Sequence, residues 1–325
     1  MIRLHTTALH RQGKALLGAY GSSPKKLMLL HTAVSLGATL LVTAIGFLLS
    51  LQIADTGGLN GLATRSVLST LQSTLELAVV VLLPFWEIGI LRVALNWRKG
   101  ENAGVPHLLE GFRRFGSVFA AKFWSGALYV SVGFATFYLS TFLFLMTPWA
   151  NAIEDVYAQL PQVSTMEELL EMMTPELTAR LTKTMLPMFI LFGLLFAAAS
   201  IFLFYRMRFA DFFVMEGDGG VKAIVGSFRL TRGNCLQLFK LDLHFWWFYL
   251  LQGLSVAICY GDFLLAALGI TLPFGPNGGF FLFYVTGILM QGILFWQCNA
   301  ERLTAYCLAF DAFRPTEPSQ LPQEM

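Results

Sequence analysis

The chain has 325 residues, of which 13% are charged and 56% apolar, with a mean hydropathy of +0.62 and a formal charge of +2. Soluble proteins average about 25% charged residues, so there are too few charges here to cover a water-facing surface. The near-neutral balance gives no support to a nucleic-acid partner. The four cysteines, Cys235, Cys259, Cys298 and Cys307, form no C-x-x-C pair and read as free thiols.

The apolar residues come in blocks. Six stand out, at roughly 27–53, 70–91, 118–148, 185–205, 245–268 and 280–297. A helix rises 1.5 Å per residue, so about 20 residues cross the ~30 Å hydrocarbon layer. The runs are continuous rather than alternating, which fits helices and not barrel strands. The expected fold is therefore all-α, a polytopic membrane helix bundle of about six spans. The first run is too long for the apolar core of a cleavable signal peptide and reads as an anchor.

Cations orient the bundle. With the N-terminus in the cytoplasm, the inner segments hold five, six, six and two of the 22 Lys and Arg residues. Only Arg65, Arg180 and Lys183 fall outside. Cations favour the cytoplasmic side, so both termini are expected in the cytoplasm and the chain in a plasma membrane. The domain reading is a basic segment at 1–26, one transmembrane domain at 27–298 and a cytoplasmic tail at 299–325.

The long outer loop, about 150–184, carries Glu154, Asp155, Glu167, Glu168, Glu171 and Glu176. Ser164-Thr165-Met166-Glu167 fits a capping box, and Thr174-Pro175 fits a helix start. A solvated helical hairpin is preferred to a lid over an outer cavity, since such charge runs are usually solvated faces.

Three cytoplasmic segments are amphipathic. In the first, Leu9, Leu16, Leu17 and Tyr20 oppose Arg11 and Lys14. In the second, Leu108, Leu109, Phe112 and Phe115 oppose Glu110, Arg113 and Arg114. In the third, Val221, Ile224, Val225 and Phe228 oppose Lys222, Arg229 and Arg232. Basic amphipathic helices lie in the membrane interface near anionic headgroups. The seven cations are thus lipid-headgroup candidates, beside the plainer reading that these helices only cap the bundle.

Residues 92–113 and 208–229 align at a constant offset of 116. The identities are Arg92/Arg208, Ala94/Ala210, Gly104/Gly220, Val105/Val221, Phe112/Phe228 and Arg113/Arg229. Repeat units of about 70–149 and 185–268 follow, both in the same orientation. Such a parallel repeat implies pseudo-twofold symmetry about the membrane normal. One consequence would be a cavity between the halves, rimmed by Arg92 and Arg208; the other reading is an old duplication that only stabilises a bundle.

Glu76 and Glu87 lie in the second span, with Glu87 just after Pro84. Carboxylates within a span are functional candidates by default. Glu87 is five residues from Arg92 and a pairing partner for it. The histidines lack H-E-x-x-H or H-x-x-x-H spacing, so no metal site is expected, and His31 reads as a packed imidazole. No nucleophile motif, phosphate loop or cofactor fingerprint is present. Trp97, Trp124, Trp149, Trp246 and Trp247 fall near span ends, as an interfacial aromatic belt does.

The most distinctive stretch runs from Arg208 and Asp211, through Ala223-Ile224 and Ser227, to Gly233-Asn234. It continues into Phe239-Lys240-Leu241-Asp242-Leu243-His244-Phe245. It resembles the bacterial integral-membrane family numbered 975 among domains of unknown function. That family's Pro-Tyr after the last span is replaced here by Trp296-Gln297-Cys298-Asn299. The resemblance implies a bacterial cytoplasmic membrane and an all-helical fold, and it assigns no activity. Asp211 joins the ligand candidates. So does Asp242, with an N-cap or ion pair as its plainer role.

The ligand or ion candidates are thus Glu87, Arg92, Arg208, Asp211 and Asp242. The expected function is non-enzymatic, a transporter-like or accessory membrane component working at its cytoplasmic face without a cofactor. Membrane lipids and a membrane protein are the expected partners. A structural or stress-related protein is the alternative, and a lipid-modifying enzyme the third. A polar cavity reaching mid-membrane would favour transport; a solid apolar core would favour the structural reading.

Overall fold

The computed structural model describes residues 6–55, 59–151, 175–267 and 275–314. Among them are thirteen helices and no strand. They are α1 (Thr6–Ala19), α2 (Ser23–Asp55), α3 (Leu59–Arg98), α4 (Val105–Leu108), α5 (Glu110–Arg113), α6 (Phe115–Leu145) and α7 (Pro175–Met207). Then follow α8 (Ala210–Glu216), α9 (Gly220–Leu230), α10 (Cys235–Leu243), α11 (Trp246–Cys259), α12 (Gly261–Ala267) and α13 (Gly275–Phe313). Five stretches among the described residues are long and apolar enough to cross a bilayer: Ser23–Leu49, Ser66–Arg98, Phe115–Leu145, Thr182–Glu216 and Gly279–Phe313. The fifth expected span differs. It breaks at Tyr260 into the 14-residue apolar α11 and the short α12. The chain is a multi-pass membrane protein of all-α fold. The capping box at 164–167 lies outside the described residues, and Pro175 opens α7 itself.

The chain divides into two compact units, Met1–Ala121 with Phe209–Met325, and Lys122–Arg208. In the first, α3 and α13 have 40 and 39 residues. Each is therefore about 60 Å long, twice the hydrocarbon thickness. Their surfaces switch halfway. Leu71, Leu77, Val80 and Leu82 of α3 are exposed, whereas Phe85, Trp86, Ile88, Leu91, Ala94, Leu95 and Trp97 are buried. In α13, Phe280, Leu282, Leu289 and Ile293 are exposed, and Leu303, Ala305, Tyr306, Cys307, Ala309 and Phe310 are buried. In α2 the order reverses, with Leu27, Met28, His31 and Thr32 buried and Val34, Leu41 and Leu48 exposed. Exposed apolar bands of this length belong in lipid. The buried halves build a separate protein core at the cation-rich end, hereafter the cap.

Around the α3 and α13 ends the cap gathers α1, α4, α5, the start of α6, and α8 to α10. Residues 299–313 are therefore not the start of a loose tail but the most deeply buried part of α13. The first amphipathic helix also spends its apolar face on protein. Leu9, Gly13 and Leu17 of α1 are buried, and Gly13 faces the Ala305 backbone of α13. Arg11 and Lys14 stay exposed.

The second amphipathic segment is not one helix. It breaks at Leu109 into the single turns α4 and α5, with Pro106 in the opening turn. Backbone is pressed against backbone here. A Cβ on Gly89 would lie 1.8 Å from the Leu108 carbonyl oxygen, and one on Gly111 1.9 Å from that of Phe85. The inward line is consequently Leu108 and Gly111, while Leu109, Phe112 and Phe115 are exposed. The third segment is continuous as α9 and buries Ala223, Ile224 and Ser227.

Burial agrees at several aligned repeat positions and differs at others: Gly220 is buried where Gly104 is half-buried, and Phe228 is half-buried where Phe112 is exposed. Ala94 and Ala210 are buried, as are Leu108 and Ile224; Leu109 and Val225 are exposed, as are Arg113 and Arg229. The copies differ at their incoming helix. Arg92 lies six residues before the end of α3, whereas α7 stops at Met207, just before Arg208.

In the second unit the described parts of α6 and α7 pair through small aromatic steps. Phe137 and Phe192 meet edge-on at 5.8 Å, and Phe192 and Phe196 stack at 5.7 Å. Trp149, Lys183, Leu186, Pro187 and Leu194 line an apolar groove there.

Overpacking the glycine contacts should unfold the cap first. Gly111→Val drives a branched side chain into the Phe85 carbonyl and should cost about 3 kcal/mol or more. Gly116→Ala, at a position with open space, should be neutral or stabilising by up to about 1 kcal/mol. Thermal unfolding of the two variants in detergent distinguishes them.

Candidate functional site

The first unit contains a cavity of about 550 Å³ walled by α2, α3, α11 and α13. It lies where the lipid-exposed halves of these helices meet the cap. α13 turns Tyr284, Ile288, Gln291, Phe295, Asn299 and Arg302 toward it. Steps of three and four keep those residues on one helical face. The face is about 27 Å long at 1.5 Å per residue. α2 adds His31, Thr32, Ser35 and Thr39, and α3 adds Glu87. Leu36, Leu83, Ile90, Val256 and Leu303 supply much of the apolar wall.

The wall is set by local hydrogen bonding. The Ser35 and Thr39 hydroxyls donate to carbonyls one turn back, at 3.0 Å each. Such back-bonding satisfies a hydroxyl inside an apolar helix. His31 stacks on Trp86 at 5.5 Å. The Trp86 indole donates to the His31 carbonyl at 3.0 Å, and His31 Nε2 lies 3.3 Å from the Trp86 carbonyl. This reciprocal pair clamps α2 to α3, so His31 acts as the packed imidazole expected of it.

Arg302 is the strongest feature of the site. Its Nη2 and Nε donate to Asn299 Oδ1 at 2.8 and 3.3 Å. Its guanidinium lies 4.8 Å from the Phe248 ring centre and 5.9 Å from that of Tyr249. Among the described residues no carboxylate forms an ion pair with it. A half-buried arginine held on an aromatic face by a neutral amide keeps its charge available to a ligand. Arg302 is one of the two cations in the 299–325 segment expected to be a tail, and nothing in its local sequence sets it apart. Gln291 and Asn299, two amides on the same face of an apolar helix, are the pattern that would have found the site.

Of the ligand candidates, Glu87 lines the cavity. Arg92 does not share it. Five residues along a helix turn a side chain about 140° away, and Arg92 Nη1 donates to the Met215 carbonyl of α8 at 3.4 Å. Arg208 belongs to the second unit, where its guanidinium lies 4.7 Å over Phe204. Glu87 and Arg302 line this cavity, and Arg92 and Arg208 do not. Asp211 sits in the first turn of α8, outside the cavity.

Asp242 is neither N-cap nor rim. It lies at the C-terminal end of α10, buried, and accepts hydrogen bonds from the Tyr249 and Tyr306 hydroxyls. It therefore ties α10 to α11 and α13. Of the headgroup candidates, Arg11, Lys14, Arg113, Lys222, Arg229 and Arg232 are exposed. Arg113 and Lys222 pair locally with Glu110 at 3.5 Å and Asp218 at 2.7 Å. Arg114 is turned inward instead, donating to the Val214 carbonyl at 3.0 Å.

Asp242→Ala leaves two tyrosine hydroxyls without this acceptor, one of them on the buried Tyr306. It should cost about 2–3 kcal/mol of stability, read as a lower unfolding temperature in detergent. No family model, curated protein or solved structure matches the chain.

Proposed function

We propose that this protein holds a small molecule in the cavity among α2, α3, α11 and α13 and works as a transporter-like or accessory membrane component. One observation carries the reading. A cavity of about 550 Å³ with Glu87, Gln291, Asn299 and Arg302 on its wall runs from the cap into the apolar band. Ligand sites are concave, mostly apolar and provided with a few placed polar groups. A bundle kept only for its structure gains nothing from an aligned row of amides and charges within a span, since polar groups there are costly.

The cation-rich cap is the cytoplasmic face in this proposal, with both termini in the cytoplasm and the spans in a bacterial plasma membrane. The support is the lysine and arginine asymmetry and the resemblance to the family of unknown function. Exposed Arg11, Lys14, Arg113, Arg229 and Arg232 then meet anionic headgroups.

Native mass spectrometry of the purified protein tests the reading. The wild type should retain a bound small molecule. Ile288→Trp, which fills the cavity, should lose it, and Arg92→Ala, which lies outside, should keep it. Wild-type protein without any bound molecule, or retention by a folded Ile288→Trp, would contradict the proposal.

A further inference from the structure

Arg302 uses only one edge of its guanidinium on the protein. Nε and Nη2 donate to Asn299 Oδ1, and Nη1 donates to no acceptor among the described residues. The remaining edge, Nη1 with Nη2, is the fork that fits two oxygens of a carboxylate or phosphate. Asn299 lies one turn away on the same face and is 4% exposed. Its Oδ1 is taken by Arg302, and its Nδ2 likewise donates to no acceptor among the described residues. A buried donor without an acceptor is costly. Both residues line the cavity. No carboxylate among the described residues forms an ion pair with Arg302, and Glu87 on the α3 wall has an interaction of its own.

The depth of these donors is informative as well. Arg302 lies over Phe248, one residue beyond the exposed Trp246-Trp247 pair, and interfacial tryptophans mark headgroup level. Arg302 is also nine residues beyond Ile293, the last exposed large apolar residue of α13. From this level the wall turns apolar through Phe295, Ile288, Leu36 and Val256. A volume of about 550 Å³ spread along a face about 27 Å long is a slot rather than a chamber.

From this geometry we infer that the ligand is a single-chain anionic amphiphile. Its head, a carboxylate or a phosphate, is forked by Arg302 and accepts from the Asn299 amide, and its chain runs along α13 toward Tyr284. A cationic head would meet Arg302 with like charge, and a neutral one would leave it without a counter-ion. This assignment rests on the cavity reading above and adds the ligand class to it.

The test is binding of probes to the purified full-length protein in nonionic detergent. They are palmitate, hexadecyl phosphate, hexadecanol, and the chainless anions acetate and inorganic phosphate. Comparing wild type with variants at one detergent concentration removes the effect of partition into micelles. Palmitate or hexadecyl phosphate should bind at least about tenfold tighter than hexadecanol, and the tighter of the two identifies the head. Arg302→Gln should weaken that probe by about tenfold to a hundredfold, the effect of losing a charge-assisted hydrogen bond. Asn299→Asp, which keeps the shape and gives Arg302 a counter-ion, should weaken it as much; where Arg302→Gln does not fold, this variant decides. Hexadecanol should be indifferent to both. An anionic preference that survives either substitution in folded protein would overturn the inference, as would hexadecanol binding as tightly as both anionic probes. A chainless anion binding as tightly as its chain-bearing counterpart would also overturn it, in favour of a soluble anion. If the anionic preference fails but Ile288→Trp still displaces a co-purifying molecule, the ligand class fails while the cavity reading stands. If a folded Ile288→Trp binds the preferred probe like the wild type, the cavity itself is wrong.

Discussion

Two helices longer than the bilayer is thick set the terms for the first unit. Hydrocarbon satisfies neither backbone groups nor charges, so whatever extends beyond it must be covered by water or by protein. α3 and α13 solve this by burying their ends against each other and against the short helices of the cap. The cap therefore has an ordinary protein core, with Trp97, Tyr306, Phe209, Phe248 and Phe310 among its fully buried side chains. The membrane halves of the same helices have almost none. Ion pairs then fasten the edge. Arg98 reaches Asp311 at 2.6 Å and Glu216 at 3.7 Å, and Arg314 pairs with Glu216 while covering the Phe310 ring at 4.2 Å. Isolated surface pairs contribute little, but this group joins α3, α8 and the end of α13 in one network.

The cavity follows from that change of environment. Above it the helices are held by a packed core; below it lipid covers their outer faces. At the junction α2, α3, α11 and α13 are fixed by the cap yet leave a space between them. The His31–Trp86 clamp holds α2 to α3, and the Asp242 bonds to Tyr249 and Tyr306 hold α11 and α13, so all four walls are tied. Arg302 is thereby presented in one orientation, and preorganised groups bind without the cost of being ordered.

Much of the architecture was legible because hydropathy in long runs reports the solvent directly. Apolar blocks located α2, α6 and α7, and the same signal marked the membrane halves of α3 and α13. It could not reveal that α3 and α13 continue as buried cap helices. A helix that is apolar in lipid and one that is apolar in a protein core look alike in sequence. For the same reason the stripe of Leu9 and Leu17 fits a membrane interface as well as a helix capping the bundle, and residues 299–313 read as a tail. The site was half legible. Glu87 stood out as a carboxylate in an apolar span. Arg302 did not, because a cation near the end of the last apolar run resembles an anchor. Asp242 was visible as a motif residue, but its tyrosine partners lie 7 and 64 positions away, beyond any local pattern.

Depth measurement addresses the central claim, that the exposed halves of α3 and α13 stand in hydrocarbon while the cap stands in water. Nitroxide labels at Leu77 and Leu289 should collide with oxygen far more than with a water-soluble nickel complex in proteoliposomes. Labels at Lys99 and Arg229 should show the reverse order. Leu77 and Leu289 in contact with the aqueous reagent would contradict the account and remove the boundary on which the cavity depends.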